Sequence, residues 1–265
     1  MSESKPEQMA HHPLAYKNDK FIDSDDARTL RILAEYLEPL YRFEQQKVPG
    51  TVVFFGSARL AENGPLGQYY AHARELARLY TTWTNALPPS APRFLICSGG
   101  GHGIMEAANR GAAEAGGRTI GLNISLPEEQ SANAYITPEL SFEFHYFFMR
   151  KLWFAHPARA VVVFPGGFGT LDEMSEILTL SQTRKLEGKM TVILYGKQYW
   201  NEIINFDALV KYGMINADDL GLFSFASTPA EALELLKRGI APKLQAATPA
   251  LAKTRTSYLY QRSGD

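Results

Sequence analysis

The chain has 265 residues, 45% apolar, 12% aromatic and 21% charged. This is globular composition, with room for one large α/β domain or two small ones, and it excludes a disordered or collagen-like chain. Lys and Arg total 27 against 28 Asp and Glu, a net charge of −1 that gives no global electrostatic reason to bind nucleic acid or an acidic membrane. The single cysteine, Cys97, excludes an intrachain disulfide and a cysteine-built metal site.

Residues 1–20 are polar, lack an apolar core of signal-peptide length and are expected to be flexible. No stretch approaches the roughly 18 apolar residues of a membrane helix, so a soluble, cytoplasmic protein is expected. Residues 24–46 have a helical pattern, with Leu30, Leu33, Leu37 and Leu40 in spacing, Ser24 as N-cap and Pro49-Gly50 as terminator. The apolar run 51–57 predicts a strand, 66–81 a helix, 93–101 a strand ending in glycines and 103–116 an Ala-rich helix. Residues 81–92 have the character of an insertion. A strand at 118–124, a loop at 125–139 and a short strand at 141–147 follow, then a helix at 148–157. The rest alternates: strand 159–167, helix 169–184, strand 190–196, helix 198–211, strand 222–226 and helix 229–238. Residues 241–265 have no period and are expected to be a tail.

Apolar strands alternating with helices predict a Rossmann-like, doubly wound α/β fold. Its mainly parallel sheet should have about seven strands, with helices on both faces, in a single domain over 21–240 that includes the N-terminal helix. Sites in such folds lie at the carboxyl ends of strands. Here that places Gly56-Ser57, 98–103 and 166–170 around one crevice. Of the 21 glycines, 11 fall between Gly99 and Gly169. Glycine lets backbone approach an anion, and the following helix offers free N–H groups, so phosphate binding is the natural reading.

The dinucleotide fingerprint needs glycine at its first, third and sixth positions. Counting from Gly99 or Gly167, the sixth position is Ile104 or Asp172. The P-loop fails too, since Gly188-Lys189 and Gly196-Lys197 lead into Met190 and Gln198. No paired histidines with helical metal spacing occur, and no cofactor or metal is expected.

Residues 165–173 read PGGFGTLDE after the strand AVVVF. Pro165 ends the strand, Gly166, Gly167 and Gly169 form an anion-cradling turn, and Thr170 and Glu173 open the next helix. Thr-x-x-Glu is equally a capping box, and one carboxylate could both cap and face a ligand. By itself Arg150 reads more readily as a surface salt-bridge residue than as a catalytic one. His102 suits a solvated loop, and His145 a packed position. Glu106 and Asn109, one helical turn apart, could reach a bound ligand or cap or bridge within their helix. Cys97 suits a core strand, and Phe144 to Phe148 a core or interface.

PGGFGTLDE resembles the PGGxGTxxE signature of the Lonely Guy family of cytokinin-activating phosphoribohydrolases, whose bacterial relatives are often labelled lysine decarboxylase-like. FFMRK supplies the family's Arg-Lys pair as Arg150 and Lys151. GSAR (56–59), SGGGHGIMEAANRGAAEAGG (98–117) and LNISLPEEQ (122–130) are similar to segments of the longer bacterial members. The resemblance implies hydrolysis of the N-glycosidic bond of a nucleoside 5′-monophosphate, with Arg150 and Glu173 as the catalytic pair. Gly166, Gly167, Gly169 and Thr170 would hold the phosphate. Lys151, Thr179 and Glu129 match further ligand positions, Met149 lies in the segment near the base, and Ser57, Gly100 and Gly101 would be phosphate or ribose neighbours. The aromatic segment before Arg150 departs from the plant Met-His-x-Arg-Lys pattern, which favours AMP-like over prenylated substrates. A homodimer or higher homo-oligomer is implied.

Molybdenum-cofactor carriers share such a fold and hold an anionic pterin on a similar loop, but need no Arg-Glu pair, so the alternative is a non-catalytic anion-binding protein. A nucleotide sensor is a further alternative, with only the tails to suggest it. Decarboxylation of lysine generally requires pyridoxal phosphate on a lysine, and no Ser-x-His-Lys context is present.

Overall fold

The long apolar runs form the inner strands because the side chains on both sides of the pleat are buried there. A computed structural model describes residues 12–126, 131–186 and 188–245. Its strands are β1 (Thr51–Phe55), β2 (Leu95–Ser98), β3 (Thr119–Ile124), β4 (Ser141–Phe144), β5 (Ala158–Val163), β6 (Thr191–Tyr195) and β7 (Phe223–Ala226). They make one seven-stranded sheet in the order β4-β3-β2-β1-β5-β6-β7, and every pairing is parallel. Val53 sits opposite Cys97 on one side and Val161 on the other.

The helices are α1 (Asp19–Ile22), α2 (Arg28–Gln45), α3 (Gly67–Asn85), α4 (Ile104–Glu114), α5 (Phe147–Ala155), α6 (Phe168–Gln182), α7 (Lys197–Ile203), α8 (Phe206–Lys211) and α9 (Pro229–Gln245). Alternation along the strands feeds two cores. Val53, Phe55, Val161, Val163, Val192 and Leu194 face the layer that contains α2, α5, α6 and α7. Val52, Phe54, Ala160, Val162, Ile193 and Tyr195 face α3, α4 and α9. The doubly wound α/β fold expected from the sequence is the fold observed. Among the described residues no helix is long and apolar enough to cross a membrane.

Several boundaries differ from the sequence expectation. The helix expected over 66–81 runs to Asn85, so the segment read as an insertion begins inside α3. The helix expected over 198–211 is two helices, because the Asn205 side chain accepts the Ala208 N–H at 2.9 Å and starts α8 afresh. The last helix passes Pro242 and ends at Gln245, taking in the first residues of the expected tail. Short helical turns occupy Ala15–Lys17 and Asp19–Ile22 within the N-terminal segment.

Helix α2 also departs from its expected form. Ser24 does not cap it: the Ser24 hydroxyl donates to the Phe21 carbonyl, and the N-cap position is Ala27. Leu30, Leu33 and Leu37 do not make its core face and stay 48%, 49% and 47% exposed. The packed face is Ile32, Tyr36, Leu40 and Phe43. Pro39 lies inside the helix, has no N–H, and so leaves the Glu35 carbonyl without its helical donor. The Trp153 indole N–H, from α5, takes that acceptor at 3.0 Å.

Helices α3 and α4 pack closely because α4 presents Ala107, Ala108, Gly111 and Ala112, all buried. A Cβ at Gly111 would run into the Arg74 carbonyl of α3. Gly111→Ala should therefore destabilise the fold by about 1–3 kcal/mol despite the better helix propensity of alanine, read as a lower urea midpoint at unchanged slope.

Candidate active site

Strand order reverses between β1 and β5. From β1 the chain moves outward through β2, β3 and β4, and from β5 it moves the other way through β6 and β7. Loops leaving the carboxyl ends of these neighbours diverge, and ligands of open α/β sheets bind in the gap. A cleft of about 780 Å³ opens there, walled by Gly56, Ser57 and Arg59 after β1, Gly99 after β2, and 166–171 after β5.

Hydrogen bonds tie these loops together. The Ser57 N–H donates to the Pro165 carbonyl at 3.0 Å, and the Ser57 carbonyl accepts the Ile104 N–H at 3.2 Å. The Tyr199 hydroxyl donates to the Gly166 carbonyl at 2.8 Å. Gly103 has a φ of 64°, and a Cβ there would strike the Ser57 carbonyl. A Cβ at Gly166 would strike the Thr170 hydroxyl. Gly167 and Gly169 are different. Neither has a positive φ, and no heavy atom lies within 4 Å of where a Cβ would stand. Nothing in the protein itself requires glycine at these two positions.

Helix α6 begins at Phe168 with Gly167 as N-cap and no capping side chain. Thr170 is the third residue of the helix and Glu173 the sixth, so the Thr-x-x-Glu pair is not a capping box, which needs its Thr at the cap position. The first turn of α6, with its uncapped N–H groups and positive dipole end, lines the cleft.

Arg150 comes from the fourth position of α5. Its Nη2 lies 3.2 Å from Glu173 Oε1, with the two side chains 14% and 9% exposed. The guanidinium lies over the rings of Phe147 and Phe154, and its Nε is buried with no hydrogen-bond partner among the described residues. Burial pushes the Glu173 carboxyl up to about 7, against the pull of Arg150 and Lys151. Burial also lowers the Arg150 pKa, against the pull of Glu173. Both shifts have the same meaning: lost hydration outweighs the pairing, as expected of a charge pair withheld from water.

Of the residues singled out from sequence, Ser57, Arg150, Gly166, Gly167, Gly169, Thr170 and Glu173 converge on this cleft. Others stand back from it. Lys151 reaches Asp172 at 2.8 Å and Glu176 at 3.3 Å on the flank of α6. Met149 is buried in the core. The Thr179 hydroxyl bonds the Ser175 carbonyl within α6. The carbonyls of Gly100 and Gly101 are held by Asn133, and Gly99 instead forms the wall. Glu129 lies outside the described residues. Asn109 is committed to Ser98 and Asn133, and Glu106 to Tyr70 and His102. His145 is exposed rather than packed, and its backbone N–H is held by Glu35. Cys97 is buried in the sheet, as expected.

The cleft also contains residues that the sequence reading did not select: Arg59, Met105, Phe147 and Tyr199. Arg59 follows the Gly56 turn by three residues, so the strand-end rule could have found it. Tyr199 stands after β6, the neighbour of β5, and carries no motif.

The family described as possible lysine decarboxylase matches residues 105–236. A probable cytokinin riboside 5′-monophosphate phosphoribohydrolase of rice, Oryza sativa subsp. japonica, is 29% identical over 150 residues, covering 56% of this chain and 64% of that protein. The cytokinin riboside 5′-monophosphate phosphoribohydrolase LOG4 of Arabidopsis thaliana is 26% identical over 146 residues, covering 54% and 66%. The matches thus span just under two thirds of these relatives' lengths. Among solved structures, the structural-genomics target TM1055 superposes with a TM-score of 0.51 at 23% identity, over 71% of this chain and 99% of that one. With the PGGFGTLDE loop, the Arg-Lys pair and these matches together, the chain is similar to the Lonely Guy family of phosphoribohydrolases.

Proposed function

We propose that the protein hydrolyses the N-glycosidic bond of a nucleoside 5′-monophosphate, with an AMP-like substrate, to the free base and ribose 5-phosphate. The observation that carries this reading is the buried Arg150–Glu173 pair beside a glycine turn with open space before Gly167 and Gly169. The phosphate would sit on that turn, against the N–H groups of α6 and the Thr170 hydroxyl. Ser57 would stand across the cleft; its Oγ already accepts the Arg59 N–H at 3.0 Å and still has a hydrogen to donate.

In the proposed reaction the bond from ribose C1′ to the base nitrogen breaks, and its electron pair leaves with the base. A water oxygen bonds to C1′, and the proton it loses goes first to Glu173 and then to the base. Positive charge develops on the ribose, which ionised Glu173 offsets, and negative charge develops on the base, which Arg150 offsets. Phosphate binding supplies remote energy that positions the sugar.

The test is a panel of nucleoside monophosphates assayed by chromatography for released base. Adenine should be released from AMP, and Glu173→Gln and Arg150→Ala should each lower turnover by about 10²–10⁴-fold. Turnover should rise through a midpoint near pH 7 as Glu173 ionises. Tight AMP binding with no base release would instead fit a non-catalytic carrier.

Two further outcomes follow from the geometry. Gly167→Ala should leave stability within about 1 kcal/mol, since the added methyl meets nothing in the protein, yet weaken phosphate binding, measured by calorimetry with AMP. Glu173→Gln should stabilise the fold at alkaline pH. The folded state holds the Glu173 proton up to about pH 7, whereas the unfolded chain releases it near the ordinary glutamate value of 4.5. Ionised Glu173 therefore costs stability progressively between those values, reaching about 3 kcal/mol above pH 7. Urea unfolding of both proteins should show that gain at pH 8.5 and little of it at pH 4.5; an equal difference at both would contradict the assigned burial cost.

A further inference from the structure

Helix α2 lies outside the segments that carry the family resemblance, yet it holds the element that presents Arg150. The Glu35 carboxylate spans the backbone N–H groups of His145 and Tyr146, at 2.8 and 3.2 Å, just before α5 begins. Helix α5 has no capping side chain of its own. A carboxylate at this place satisfies N–H groups at the mouth of the helix and faces its positive end. The same residue grips α5 a second time. Its carbonyl, freed by Pro39, accepts the Trp153 indole N–H at 3.0 Å. Tyr36 and Phe43 pack against the Trp153 ring on either side of that bond. Two turns after Glu35, Arg42 donates to the Ser141 carbonyl at 2.9 Å and covers the Phe142 ring, fixing the strand that leads into α5.

Arg150 lies between these two grips, one turn after Tyr146 and one turn before Trp153. Its contact with Glu173 is a single 3.2 Å approach rather than a two-point clasp, so the guanidinium position depends on where α5 sits. Resting on the assignment of Arg150 and Glu173 made above, we propose that Glu35 is a positioning residue. It clamps the start and middle of α5 from outside the cleft and so sets the Arg150 guanidinium against Glu173. Glu35 touches no wall of the cleft. Glu173 itself is faced by Arg150 and Lys151 from α5, by Asp172 and Glu176 on its own helix, and by the Cys97 thiol from β2.

The experiment compares the full-length wild type with Glu35→Ala and Glu35→Gln. Steady-state base release from AMP gives one readout, and ¹³C NMR titration of the Glu173 carboxyl gives a second that needs no turnover. Glu35→Ala should lower kcat about 10- to 100-fold with KM nearly unchanged. It should also move the Glu173 midpoint to higher pH, because Arg150 no longer holds it down. Glu35→Gln, which keeps one carbonyl acceptor, should recover part of both effects. A folded Glu35→Ala protein with unchanged kcat and unchanged midpoint would overturn the proposal, as would loss of kcat with an unmoved midpoint. Should Glu35→Ala fail to fold, Glu35→Gln decides by the same two readouts. If the wild type releases no base from any nucleotide, the hydrolase reading fails, and the carboxyl midpoint alone decides the role of Glu35.

Discussion

Two parallel strands that are neighbours in a sheet but hand the chain on in opposite directions cannot have both following loops fold over the same spot. Right-handed crossovers send the helices after β1 to one face and the helix after β5 to the other. What remains above Phe55 and Val163 is a gap with backbone on both sides and no side chain obliged to fill it. Everything placed in the cleft depends on that divergence. The Ser57–Pro165 hydrogen bond spans its base, the first turn of α6 points its N–H groups into it, and α5 closes one side with Arg150. The glycines divide accordingly: Gly103 and Gly166 are needed so that backbone and side chains can meet across the gap, while Gly167 and Gly169 keep part of it open.

The electrostatics have the same local character. A chain with a net charge of −1 has no long-range field to draw in an anion. The positive charge at the cleft comes from the start of one helix, the Arg150 guanidinium held away from water and the more exposed Arg59. That arrangement is poor for stability. The opposed shifts of Arg150 and Glu173 show that each charge loses more hydration than it regains from its partner. A pair that destabilises the molecule holding it is the kind of feature that marks functional sites.

The five inner strands were legible because double-sided burial makes them largely apolar, whereas the edge strands β4 and β7 alternate, with Glu143 and Ser224 exposed. The glycine loop was legible because its spacing is unusual and because it follows such a strand. Thr170 and Glu173 were ambiguous for a physical reason: the capping motif and the ligand-facing motif share one spacing, and only the true helix start, at Phe168, separates them. The break between α7 and α8 was visible in principle as an Asn N-cap, but no periodicity change accompanies Asn205. Helix α2 was assigned its apolar face from Leu30, Leu33 and Leu37, whereas its packed face is set by aromatic partners on α5. Tyr199 and Phe147 reach the cleft from elements far apart in the chain, and no local pattern carries that information.

The Arg150–Glu173 pair is hung from two very different supports. Glu173 follows β5, an innermost strand bonded on both sides, and its helix lies over the middle of the sheet. Arg150 hangs from α5, which follows the edge strand β4, packs on β3 and the core below it, and is gripped from outside by α2, a helix whose outer face keeps three leucines half in water. Amide protons around Glu173 can exchange only when the centre of the sheet opens, which takes nearly the global unfolding energy. The His145 and Tyr146 amides that lead into α5 are held by Glu35 and are freed when α2 detaches, a smaller excursion. The cleft thus joins a half rooted at the centre of the sheet to a half whose entry turn is only as long-lived as the docking of a peripheral helix.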